Sequence, residues 1–320
     1  MANSNNSKST STLFIIGNGF DLNHGYRTDY ESFRDYLKAH TYTVGSFDLY
    51  NLFDEMGDDE WRSFEENLAY LDFESWASDY TSDLSDEELS DREFEREYSR
   101  NSDLLDSFNE IKEKLYPALC CALRNFVLDT VTAKASSKKY FNSSFNKSSK
   151  EDTFISFNYT RTLETLYGID KNQITYLHGI ASSYFPSPDE REQYDEAGIV
   201  FGHGEKQSEV PEDFEADAEF DLFNPEKTLK YLTNSLCKQY CFDEFDDAVQ
   251  RALDNNLSEV QIIGHSLGSV DKSYFEHLKK KIGSNIKIVY WLYNEEDQYR
   301  MQKILENLFP KNQISFRCYA

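Results

Sequence analysis

The stretch Leu13-Phe14-Ile15-Ile16-Gly17-Asn18-Gly19-Phe20-Asp21-Leu22 carries four apolar residues straight into a glycine-asparagine-glycine turn. Thr28 and Glu31 follow at the spacing of a capping box, so a helix is expected just beyond. Strand, glycine turn and helix in that order are how an α/β protein brings bare backbone N–H groups up to a phosphate. The third glycine of the dinucleotide fingerprint is missing, and a plain tight turn is the alternative. A nucleotide is nonetheless the first ligand class to suspect.

Further β-rich runs occur at Thr153 to Phe157, Ile174 to Leu177, Ile199 to Phe201, Val260 to Ile263, Ile286 to Tyr293 and Ile314 to Tyr319. Most are nearly continuous in apolar residues rather than alternating, as in strands covered on both faces. Helical patterns at Asp271 to Lys281 and Glu295 to Leu308 separate several of them. The expected fold class is α/β, a Rossmann-like, mostly parallel doubly wound sheet.

Between Asp48 and Glu110, 22 acidic residues face four basic ones, with Trp61, Phe64, Phe73 and Trp76 at intervals compatible with helices. A longer helical pattern runs from Leu104 to Thr132. The economical division is residues 12–47 as the first part of the α/β domain, 48–150 as an acidic, mostly helical insertion, and 151–320 as the remainder. Tyr140 to Asp152 reads as the linker back to the sheet. Ala181 to Pro225 holds four of the six prolines and reads as a loop that could cover a cleft.

The net charge of −25 over 320 residues makes nucleic acid and anionic membrane poor partners, because such a surface repels phosphate. The five cysteines lack zinc-site spacing, and no metal is expected. The start of the chain has no apolar signal-peptide core, and no run approaches the roughly 20 apolar residues of a bilayer span. A cytoplasmic location is expected.

In open α/β sheets, ligands sit beyond the carboxyl ends of the strands. The residues there are Gly17-Asn18-Gly19, Asn158, His178-Gly179, Gly202-His203-Gly204, Gly264-His265-Ser266 and Asn294, all small or polar. Asn158 could instead cap a helix starting near Tyr159. His178 could be a core histidine bonded to backbone, and His203 a loop residue. His40 reads as compensation of a helix C-terminus. His24 lies near the suspected phosphate loop. A carboxylate at Asp21 would repel phosphate, so it should face a ribose hydroxyl, a backbone amide or a cation, or else stabilise the turn locally.

Gly17-Asn18-Gly19-Phe20-Asp21-Leu22 with Tyr30 and Phe33, Ser156-Phe157-Asn158-Tyr159-Thr160 with Leu163 and Glu164, His178-Gly179, and Gly264-His265-Ser266-Leu267 with Asp271 together resemble the AbiH family of bacteriophage abortive-infection proteins. The series is also distantly similar to sirtuin and SIR2-like proteins. That similarity implies NAD as substrate or ligand, with Gly17, Asn18, Gly19, Phe20 and Asp21 at the pyrophosphate loop. It sets Asn158 and His178 at the nicotinamide ribose, and Gly264, Ser266 and Asn294 towards adenosine. Weaker substrate contacts fall to His24 and His203. Asn18 stands where sirtuins carry alanine, the zinc-binding cysteine module is absent, and Tyr159-Thr160 replaces isoleucine-aspartate, so lysine deacylation is disfavoured.

Cleaving the nicotinamide–ribose bond needs a nucleophile whose proton passes to a group titrating near neutrality, and His178 is the expected base. Asn158 would orient the ribose without adding charge. The resemblance further implies abortive infection, with room for a homo-oligomer and a phage-derived trigger. Two other readings stand beside it. One is a nucleotide sensor without catalysis. The other is a serine hydrolase, because Gly264-His265-Ser266-Leu267-Gly268 matches a nucleophile elbow. That fold needs a later histidine, and His277, eleven residues on in the same helix, would lie roughly 16 Å away.

Overall fold

The first strand, β1 (Ser11–Ile16), is buried on both faces: Leu13 and Ile15 enter one hydrophobic cluster, Phe14 and Ile16 another. Alternate residues reach opposite faces because the strand period is two, so an unbroken apolar run requires cover above and below. The computed structural model describes residues 10–44, 47–71, 114–131, 135–145, 150–182, 198–204 and 233–319. Five further strands complete one sheet: β2 (Thr153–Ser156), β3 (Ile174–Tyr176), β4 (Leu257–Ile263), β5 (Lys287–Leu292) and β6 (Ile314–Cys318). They lie side by side as β3-β2-β1-β4-β5-β6, and every neighbouring pair is parallel. The chain builds outward from β1 to one edge and then returns to its other side. The topological switch point is therefore between β1 and β4. This is an α/β, Rossmann-like fold.

The helices of the first half are α1 (Asn18–Asn23), α2 (Tyr30–Ala39), α3 (Asp58–Arg62), α4 (Phe64–Asn67), α5 (114–131) and α6 (Lys139–Phe145). Then come α7 (Thr162–Tyr167), α8 (Phe242–Asp254), α9 (Lys272–Lys281) and α10 (Gln298–Leu308). Phe245, Tyr274, Leu278, Met301 and Leu305 of α8, α9 and α10 pack on one face of the sheet. Phe20 of α1, Phe141 and Phe145 of α6 and Leu163 of α7 pack on the other. Each fully buried side chain of this size is worth about 1.5–3 kcal/mol relative to exposure.

Several sequence expectations change in detail. Helix α2 is capped by Asp29, whose carboxylate accepts from the Ser32 amide, and Thr28 bonds Asn18 instead. Ile199 and Phe201 are buried but lie outside the sheet, held where the Val200 amide between them donates to the His178 carbonyl. The expected linker at Tyr140 to Asp152 contains most of α6. Its two phenylalanines are core, which local polarity in Ser, Asn and Lys concealed. Helix α8 emerged from a segment for which no helix was expected.

A third hydrophobic cluster joins Phe33 and Leu37 of α2 to Trp61, Phe64 and Leu68, and to Leu115, Leu119 and Phe126 of α5. Helix α2 thus shares its core with the described part of the acidic insertion. Residues 72–113, which hold most of the acidic run, lie outside the described residues, as do 183–197 and 205–225 of the proline-rich stretch.

Candidate functional site

A cleft of about 620 Å³ opens at the carboxyl ends of the strands, across the switch point. Its lining includes Gly17, Asn18, Gly19, Asp21, Asn158, His178, Gly264 and Ser266. Eight sequence-derived candidates from four separate segments therefore meet in one place. Phe20, His24, His203 and Asn294 do not line it.

The two glycine turns are packed backbone against backbone. The Gly17 amide donates to the Ile263 carbonyl at 2.9 Å and the Gly19 amide to the Gly264 carbonyl at 2.7 Å. A Cβ at Gly17 would stand 2.5 Å from His265 Cα, and one at Gly264, where φ is +66°, 2.1 Å from the Phe20 amide nitrogen. These glycines are required by the contact between turns, and two of the amides expected to face a phosphate are spent on it. Asn18 is also engaged. Its side chain donates to the Thr28 carbonyl at 2.9 Å and accepts from the Thr28 hydroxyl at 2.6 Å.

Asp21 is 1% exposed and accepts from the hydroxyls of Thr160 at 2.6 Å and Thr162 at 2.7 Å, tying α1 to the loop after β2. Burial pushes its carboxyl up to about 6, against the pull of hydrogen bonds from Thr160, Thr162 and Asn158. Asn158 does not cap a helix, because α7 begins only at Thr162. Its Oδ1 is buried and has no hydrogen-bond partner.

His178 Nε2 is likewise buried and without a hydrogen-bond partner. Burial, then the nearby Lys238 ammonium, push its pKa down to about 3, so the imidazole is neutral at physiological pH. It forms a backbone hydrogen bond with Phe157, as the core-histidine reading expected, while facing the cleft. The expectation that it titrates near neutrality gives way to a charge environment that lay far off in sequence.

That environment is a buried ion network which sequence reasoning missed. Lys238, with a wholly buried side chain, bridges Asp271 at 2.9 Å and Glu65 of α4 at 3.1 Å. Asp271 also faces His265 Nε2 at 3.4 Å and His178 Nε2 at 3.8 Å. His265 Nδ1 accepts from the Leu267 amide, which leaves the proton on Nε2, towards Asp271. Burial alone would raise the Asp271 carboxyl, but Lys238 and the His265 hydrogen bond hold it well below the usual range. The Phe157 ring meets both histidines edge-on, at 4.5 and 5.1 Å between centroids. Asp271 belonged to a quoted motif, whereas Lys238 is a lone lysine in a polar segment and carried no local signal.

The remaining candidates have structural partners. His24 Nδ1 donates to the Phe20 carbonyl and its Nε2 bonds the Tyr167 hydroxyl within the aromatic cluster under α1. His203 is 0% exposed, and its Nε2 donates to the Thr233 carbonyl at 2.7 Å. Its own carbonyl accepts from the Lys238 amide, so it fixes the segment that delivers Lys238. Asn294 caps the short turn Glu295–Asp297 through the Asp297 amide, beside the cleft rather than in it. Phe20 is core. His24 Nε2 and His203 Nε2 find their partners 143 and 30 residues away in the chain, which the glycine-rich pattern around them did not reveal, and His203 Nδ1 is buried without one.

A family model described as bacteriophage abortive infection AbiH matches residues 13–292. The chain belongs to the AbiH family. No curated protein sequence and no solved structure matches it. The AbiH match takes in Asp21, Glu65, Asn158, His178, Lys238 and Asp271, and it assigns the protein to abortive infection, a defence against phage. In this AbiH protein Ser266 has no nucleophile-elbow setting. The positive φ falls on Leu267, and the Ser266 hydroxyl accepts from the Gly268 amide. His277 stacks on Phe242 and faces Asp246, and it does not line the cleft. Among the described residues, no group of three or more His, Cys, Asp or Glu is arranged to hold a metal ion, and no helix is long and apolar enough to cross a membrane.

Proposed function

We propose that the switch-point cleft binds NAD or a related nucleotide and hydrolyses its nicotinamide–ribose bond, acting in the cytoplasm as the chemical step of abortive infection. The observation that carries this reading is that Asn158 Oδ1 and His178 Nε2, two of the buried polar atoms of the cleft lining that lack a hydrogen-bond partner, belong to the strand-end residues. An unsatisfied buried polar group costs about 1–3 kcal/mol, which a ligand hydroxyl or amide would recover. The sirtuin-like order of the strand-end residues supports the choice of NAD.

In the reaction, a water oxygen bonds to the ribose anomeric carbon. The carbon–nitrogen bond breaks with its electron pair passing to the nicotinamide nitrogen, which cancels the ring's positive charge. The proton released by water needs an acceptor. We assign that role to Asp21, whose pKa of about 6 suits neutral pH. Asn158 orients the ribose. His178 serves as a neutral hydrogen-bonding group for the water or a ribose hydroxyl.

A sensor without turnover is the second reading, favoured by the Glu65–Lys238–Asp271 chain that ties α4 to the cleft. Incubation with NAD separates the two. Release of nicotinamide with ADP-ribose supports hydrolysis, saturable binding without release supports the sensor, and neither outcome would reject both.

A further inference from the structure

Phosphate-binding sites present free amides or unpaired cations to the ligand. In this cleft two of the turn amides are taken and the lining cations are already paired. The Gly17 and Gly19 amides are consumed by the neighbouring turn. Two arginines line it, and each already faces carboxylates: Arg62 pairs with Glu31 at 3.0 Å and Asp59 at 2.8 Å, and Arg300 with Asp297 at 3.3 Å. Deeper in, Lys238 is the single ammonium shared between two carboxylates, Glu65 and Asp271, which leaves that group net negative. Asp21 and Asp29 line the cleft too, with hydroxyl and amide partners rather than cations. The whole chain adds a net charge of −25 behind them. The buried polar atoms of the lining that lack a hydrogen-bond partner, Asn158 Oδ1, His178 Nε2 and the Tyr319 hydroxyl, belong to uncharged side chains of the kind that meet hydroxyls and amides.

We infer that the cleft recognises the glycosyl end of a nucleoside bearing a neutral or positively charged base, and that phosphates stay outside it. This deepens the proposed function and rests on it: of NAD, the part held is the cationic nicotinamide riboside, and the pyrophosphate contributes no favourable contact. A carboxylate-lined wall favours the positive ring before cleavage and the positive sugar during it, and penalises a phosphate in the same space.

The test compares nicotinamide riboside, nicotinamide mononucleotide and NAD on the wild-type chain in divalent-free buffer, by kcat/KM where turnover occurs and by Kd where it does not. The riboside is expected to lead the mononucleotide by about tenfold or more at low salt. The gap should shrink on raising ionic strength from roughly 0.05 to 0.3 M, because screening shortens the reach of the carboxylates. Asp297→Asn, which releases Arg300, should narrow it further. Equal or better use of the mononucleotide or NAD at low salt would overturn the inference while leaving the proposed function intact. If none of the three binds or reacts, both fall.

Discussion

Lys238 Nζ stands 2.9 Å from Asp271 Oδ1 with its side chain wholly buried, and the same ammonium reaches Glu65 on α4 at 3.1 Å. One lysine thus joins the described edge of the insertion to the carboxylate that faces both cleft histidines. Removing a single member of a buried ion group leaves the others uncompensated, at a cost of about 3–5 kcal/mol. Lys238→Met should lower the urea unfolding free energy by that amount. The proton affinity of His178 should rise, since Lys238 depresses it, and this can be followed by imidazole NMR. An unchanged unfolding midpoint would contradict the network's role.

Asp21 gives a pH signature. Its carboxyl binds a proton more tightly in the folded chain, at about 6 against an ordinary 3.8, because burial disfavours the charge. The stability from that proton is fully present below about pH 4 and is lost as pH rises towards 6, on the order of 3 kcal/mol. His178 works the other way. Its pKa is lowered from 6.5 to about 3, so its contribution is complete above pH 6.5 and is lost as pH falls through the acid range. Asp21→Asn should therefore gain stability relative to wild type between pH 4 and pH 7, read from denaturant curves at each pH. Parallel profiles would rule out an ionising, buried Asp21.

The contact between turns can be separated from glycine's backbone freedom. Gly264 and Gly168 both have φ of +66°, but a Cβ at Gly168 meets open space, whereas one at Gly264 meets the Phe20 amide. Gly168→Ala should cost only the left-handed conformation, about 1–2 kcal/mol. Gly264→Ala should cost several kcal/mol more or prevent folding, because the β1 and β4 turns must separate. Similar unfolding midpoints for the two variants would mean that the turns are not in close contact.

The sheet and its ligand edge were legible because parallel strands announce themselves as apolar runs ending in glycine, asparagine or histidine. Gly17, Asn158, His178 and Gly264 could be placed at one edge without coordinates. What stayed hidden depends on partners distant in sequence. Lys238 acquires meaning only beside Glu65 and Asp271, and the amides of Gly17 and Gly19 look available until the β4 turn is seen to occupy them. His24 and His203 carried the same local signal as His178. Only the tertiary fold gives the first two hydrogen-bond partners at Nε2 and leaves His178 Nε2 without one. Helix α6 was obscured because Phe141 and Phe145 sit among polar neighbours.

Ser266 separates the nucleotide account from an esterase. Its hydroxyl accepts from the Gly268 amide, and His277, the histidine that follows it in the chain, packs away from the cleft on Phe242. Ser266→Ala should leave nicotinamide release from NAD within about threefold of wild type, well inside the 10²- to 10⁴-fold expected for loss of a general base. Ester hydrolysis that disappears in this variant would point to the other chemistry.

The most direct measurement is a crystal structure of the protein soaked with nicotinamide riboside. The account predicts density between Asn158 and His178, with ribose hydroxyls or the amide within about 3.2 Å of Asn158 Oδ1 or His178 Nε2. Density confined to another part of the molecule, with both of those atoms still unpartnered, would contradict it.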